Sequence, residues 1–204
     1  MRRPATGHTL LLPTIALVVA LAGCDTGDGK TLRDPVFPLP DPPVTESTLP
    51  AAPTPAPRQL ELFTSWPNGA AFPVQYTCDG DDISPAMSWS NIPADTVELA
   101  ITVTDVDAGN EAQWIVYGIA PSDGNVSDGE VPDGALVWPN SAGVQGWTGP
   151  CPPAGEEHLF VVTVHALNQQ LELADDAPAS EVISTLNAIA IAQSSVSGRY
   201  AGSE

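Results

Sequence analysis

The chain has 204 residues, of which 25 are acidic and 6 basic, for a formal net charge of −19. Residues 1–58 hold five acids and five bases, so residues 59–204 carry the whole excess, with Arg199 as their single base. A surface that acidic repels phosphate backbones and anionic lipid, which excludes a nucleic-acid binder and a protein held on a membrane by its own charge.

In chain order, Met1-Arg2-Arg3 is a short basic start, followed by an apolar run from Leu10 to Ala22 interrupted by Pro13. The run has 13 residues, whereas a bilayer span needs roughly 20, so it reads as a signal peptide over 1–23 rather than a permanent span. It ends in Leu21-Ala22-Gly23-Cys24, which resembles a bacterial lipobox. Acylated Cys24 would then be the mature N-terminus and the membrane anchor. The competing reading is an ordinary signal peptide with an incidental cysteine. Residues 24–58 are rich in Pro, Thr and Asp, with nine prolines between Pro35 and Pro57. They are expected to form an extended tether without a core.

Residues 59–204 are long enough for one domain with a real core. Strands are predicted at 60–64, 72–77 and 86–89, then over Val97–Thr104, where Val97, Leu99, Ile101 and Val103 alternate with Glu98, Ala100, Thr102 and Thr104. The runs 114–119 (WIVYGI) and 159–167 (LFVVTVHAL) are continuously apolar, as suits strands buried on both faces. Turns are expected at 79–82, 107–110 and 123–125. A helix is predicted from Ser180 to Val196, with Val182, Ile183, Leu186, Ile189 and Ala190 on one face and Gly198 as its stop, and a last strand at 199–202. Many strands and one late helix predict a mainly β domain, an antiparallel β-sandwich.

Cys78 and Cys151 lie in an exported setting and are expected to pair. Two reduced thiols, or one catalytic thiol with His158 or His165 as its base, are the alternatives. Asp105, Asp107 and Glu111 suggest calcium, but an EF-hand needs a terminal Glu where residue 116 is Val, so no metal is expected. On a strand starting near 158, His158 and Phe160 face one way and His165 the other. Asn125-Val126-Ser127 matches a glycosylation sequon, which the bacterial lipobox discounts.

Three ordered blocks carry a resemblance. They are Tyr76-Thr77-Cys78-Asp79-Gly80 with Ile83-Ser84-Pro85 and Trp89; Thr104-Asp105-Val106-Asp107-Ala108 with Gln113-Trp114-Ile115-Val116-Tyr117; and Asn140-Ser141, Gly143, then Gly149-Pro150-Cys151-Pro152-Pro153-Ala154-Gly155 with His158 and Phe160. Together with Gly198-Arg199-Tyr200 they resemble the phosphatidylethanolamine-binding protein family, in its bacterial Raf-kinase-inhibitor-like branch. The resemblance implies a β-sandwich of that type with a C-terminal helix and a small anion-accepting pocket at one end. It places Asp105, Asp107, Gln113, Gly149, Pro150, Pro152, His158 and Phe160 in ligand binding. Gln113 stands where relatives usually carry histidine, Val106 replaces a proline, Phe160 a frequent tyrosine, and Ile189 a histidine of many bacterial relatives.

The expectation is a non-enzymatic, lipid-anchored protein of the bacterial envelope, its domain in the periplasm or outside the cell, that needs no cofactor. Its ligand would be small and polar or anionic, like a phospholipid head group. An inhibitor or adaptor that binds an envelope protein is the alternative, and a Cys/His hydrolase a weaker one.

Overall fold

The computed structural model describes residues 59–203. The expected signal peptide, Cys24 and the expected tether lie outside the described residues.

Among the described residues nine strands and one α-helix follow in order: β1 (Glu61–Thr64), β2 (Ala70–Ala71), β3 (Met87–Ser90), β4 (Glu98–Asp105), β5 (Glu111–Ile119), β6 (Gly124–Val126), β7 (Leu136–Trp138), β8 (Glu157–Leu167), α1 (Ala179–Ile189) and β9 (Ala190–Ala201). They form a three-stranded sheet, β1-β3-β6, and a six-stranded sheet, β2-β9-β8-β4-β5-β7. All neighbouring strands are antiparallel except the short β2, which runs parallel to β9.

Period-two alternation sends Ile101, Val103, Phe160, Val162 and Val164 towards the small sheet, where Leu62, Met87 and Trp89 meet them. The opposite faces of β4, β5 and β8 offer Ala100, Ile115 and Leu167 to Val182 and Leu186 of α1. The central strands are therefore covered on both sides, and that explains their continuous apolar runs. Each Val, Leu, Ile or Phe so buried contributes roughly 1.5–3 kcal/mol.

The structure corrects three local expectations. The 72–77 segment is not a strand: Pro73 lacks an N–H, and Val74–Tyr76 closes a 3₁₀ turn in which the Thr77 hydroxyl donates to the Val74 carbonyl. The helix ends at Ile189 rather than Val196. From Ala190 the burial pattern switches to period two, and β9 pairs with β8 from Leu167↔Ala190 to Glu157↔Ala201. Gly198 does not stop a helix; it lies within β9, where a Cβ would come within 2.9 Å of the Phe72 ring. Finally, Gly124 and Asn125 belong to β6, where the missing side chain of Gly124 leaves room for the Trp89 indole.

Candidate ligand-binding pocket

At one end of the sandwich, β4 ends on Asp105, β5 begins at Glu111 and β8 begins at Glu157. With the loops around 139–142 and 148–153 these ends enclose a cavity of about 370 Å³. It is lined by Asp105, Ala108, Glu111, Ala112, Gln113, Asn140, Ser141, Ala142, Thr148, Gly149, Cys151, Pro152, Pro153 and His158. A larger space of about 540 Å³ beside Gln59, Pro93 and Ser194 has no charged side chain in its wall. Chemistry, not volume, therefore selects the pocket at His158.

His158 is held from two sides. Its Nδ1 lies 2.8 Å from Asp105 Oδ2 and its Nε2 lies 3.4 Å from Glu156 Oε2. Its ring stacks over Phe160, with centroids 6.3 Å apart. A carboxylate can only accept, so Nδ1 carries a proton and donates it to Asp105. The Asp105 bond raises the pKa of His158 above the usual 6.5, partly offset by burial. The side chains of His158 and Asp105 are 13% and 7% exposed, so this pair is mostly withdrawn from water.

Asp105 also fixes the turn beneath the pocket, since its Oδ1 accepts the N–H groups of Asp107 and Ala108, each at 3.1 Å. Asp107 takes a different part. It is exposed, and its Oδ2 accepts the Leu159 N–H at 2.7 Å, which ties the β4 turn to β8. Asn140 is the hub of the opposite wall. Its amide donates to the Gln113 carbonyl at 3.1 Å and to the Thr148 hydroxyl at 2.8 Å, while its carbonyl accepts from Ala142 and Val144. Ser141 adds a fifth link by accepting the Ala112 N–H at 2.8 Å.

Gly149 has no room for a side chain: a Cβ there would stand 2.5 Å from both Asp82 Oδ1 and the Tyr76 carbonyl. Its N–H instead donates to Asp82 at 2.8 Å. Two residues on, Cys151 forms a disulfide with Cys78, with Cα atoms 5.5 Å apart. Bridging leaves neither sulfur as the thiolate a Cys/His hydrolase needs. Closing a loop of 73 residues contributes about 4 kcal/mol on the chain-entropy estimate.

Of the eight residues expected in ligand binding, Asp105, Gln113, Gly149, Pro152 and His158 line the cavity. Asp107, Pro150 and Phe160 do not: Asp107 caps a strand, the Pro150 carbonyl accepts the Cys78 N–H at 3.2 Å, and Phe160 is fully buried under His158. Glu111, Asn140, Ser141 and Thr148 join the wall without having been assigned to it. Asn140-Ser141 stands in the third block of the resemblance, which is the one signal that points to them. Among the described residues no three His, Cys, Asp or Glu side chains converge in metal-holding geometry.

The model of the family described as "Phosphatidylethanolamine-binding protein" matches residues 64–201, which span both sheets, the helix and every wall of this pocket. The chain belongs to that family. A Mycobacterium tuberculosis protein named as a lipoprotein, LppC, is 39% identical over 206 residues, covering 97% of this chain and 99% of its own length. A solved structure described as a family homologue from Chlamydia trachomatis superposes with a TM-score of 0.62 at 27% identity, over 70% of this chain and 97% of that one. The family member YbcL of E. coli shares the fold, with a TM-score of 0.64 at 23% identity over 71% of this chain and 99% of that one.

Proposed function

We propose that this chain is a lipid-anchored module of the bacterial envelope whose end pocket binds a small polar ligand resembling a phospholipid head group. The observation that carries the reading is His158, oriented by Asp105 at the wall of an open cavity of about 370 Å³. An oriented imidazole beside main-chain loops offers directional donors to such a ligand, with the lining of Gln113 and Ser141 for its polar atoms.

Charge narrows the ligand. Glu111 lines the cavity and Glu156 reaches His158 Nε2, so a single imidazole faces Asp105 and two glutamates. A free phosphate must overcome that repulsion as well as its own desolvation. Gln113 supplies an amide donor without charge, so amine-bearing or neutral polar ligands compete well there. Gln113→His should tighten phosphoethanolamine binding by about ten- to a hundredfold, the worth of one charge-assisted hydrogen bond, and more at pH 6 than at pH 8 because the new imidazole is then cationic. Calorimetric titration of both proteins checks this; equal affinities would remove Gln113 from the ligand's neighbourhood.

The anchor rests on Cys24 after Leu21-Ala22-Gly23 and on the full-length likeness to a protein named as a lipoprotein. Cys24→Ala should move the protein from the detergent phase to the aqueous phase in detergent partitioning. A variant that still follows the detergent contradicts anchoring through that cysteine.

A further inference from the structure

We propose that the Cys78–Cys151 disulfide is a redox latch on the pocket, so that reduction by a dithiol frees the 149–153 wall and weakens ligand binding. This rests on the binding reading above for its consequence, but not for its structural part.

The bridge differs from a core staple by its place. Both cysteines are exposed, and neither belongs to a strand or helix. Cys151 itself lines the cavity, flanked by Gly149, Pro152 and Pro153. The wall that they form belongs to no strand, and only Ala154 at its end makes a single β-bridge, with Gly202. Two of its polar ties, the Gly149 N–H to Asp82 and the Pro150 carbonyl to the Cys78 N–H, end on the same 78–82 turn that the disulfide holds, and a third is local, from the Glu156 N–H to the Pro153 carbonyl. That turn carries a further tie through Asp79, whose carboxylate accepts from the Tyr200 and Ser203 hydroxyls. Tyr200 is the cross-strand partner of His158. One exposed covalent bond therefore fixes the turn that supports the pocket loop and the strand end beside its histidine.

The chemistry balances with a dithiol as reductant. One of its thiolates attacks Sγ of Cys78 or Cys151, the S–S bond breaks, and the departing sulfur takes a proton. The second thiol of the reductant then attacks the mixed disulfide, which releases the other cysteine as a thiol and leaves the reductant as a disulfide. Two electrons and two protons pass to the protein. Exposure gives the attacking sulfur access. The acidic neighbours Asp79, Asp81 and Asp82 repel anionic thiols, which favours a neutral or protein-borne dithiol. Once freed, the loop must be ordered again each time a ligand binds, at a cost in affinity.

The test uses the full-length protein, oxidised, reduced with dithiothreitol, and re-oxidised, with hydrogen exchange and phosphoethanolamine calorimetry on each. Reduction should speed exchange in 148–155 by about tenfold, leave the central β4 and β8 amides protected, and weaken phosphoethanolamine binding by about tenfold; re-oxidation should reverse all of it. The Cys78→Ser/Cys151→Ser double variant should match the reduced protein. Unchanged exchange in 148–155, or loss of protection in β4 and β8 as well, overturns the latch. If the oxidised protein binds no phosphoethanolamine, the ligand reading fails, while exchange still decides whether the bridge holds the wall.

Discussion

Acidifying the folded domain from pH 6.5 to pH 4 is expected to remove about 3 kcal/mol of stability through one side chain, His165. This histidine lies on the outer face of β8 under the helix layer, 2% exposed. Gln193 Nε2 donates to its Nδ1 at 2.9 Å and to Asn187 Oδ1 at 2.8 Å, so Nδ1 must accept and Nε2 carries the hydrogen shared with Thr102 Oγ1. Protonating Nδ1 would set two donors against each other. Burial accordingly pushes its pKa from 6.5 down to about 4. The unfolded chain then binds a proton that the folded one refuses, so stability is full above pH 6.5 and falls towards pH 4. His158 acts with the opposite sign. Its folded pKa is raised, so its contribution is full below pH 6.5 and is lost as pH rises through the raised value. Urea unfolding at steps between pH 4 and pH 7 checks the larger effect against His165→Gln, in which that loss should shrink by about 3 kcal/mol. Equal losses in both proteins would contradict a neutral buried His165.

Asp105→Ala should cost about 3 kcal/mol, because it strips the charged partner from His158 and leaves two turn N–H groups without their acceptor. Asp105→Asn separates the two roles. The amide oxygen can still accept from Asp107 and Ala108, so the fold should suffer much less, while the carboxylate that raises the His158 pKa is gone. The expected pair of results is a large drop in melting temperature for the alanine variant alone, and a His158 pKa falling back towards 6.5 in both. A His158 that titrates unchanged in Asp105→Asn would mean that the 2.8 Å contact does not govern it.

The strands that build this site were readable because their own residues carry the period. Val97 to Thr104 alternates cleanly, and 159–167 is apolar on both faces because a sheet covers one side and α1 the other. The helix stops short of its apolar pattern for a specific reason: Ala190, Ile191 and Ala192 continue an apolar run, while the pairing with eleven residues of β8 that makes them a strand is a tertiary fact. β6 and β7, three residues each, are likewise set by their partners. In the pocket, period two alone put His158 and Phe160 on one side. The division of labour between Asp105 and Asp107 was not legible, since it depends on how the turn folds back and which N–H groups come within reach. Asn140 becomes a pocket residue through its bond to the Gln113 carbonyl, 27 residues away, and Thr148 through its own N–H on the same carbonyl.

The most direct test of the account is to follow the imidazole signals of the full-length protein by NMR while phosphoethanolamine is added. Ligand seated in the pocket should shift His158 saturably and change its titration, and leave His165 still, since that ring lies on the opposite face of β8 beneath the helix layer. A saturable response at His165 with none at His158, or no response at either, would contradict a ligand pocket built around His158.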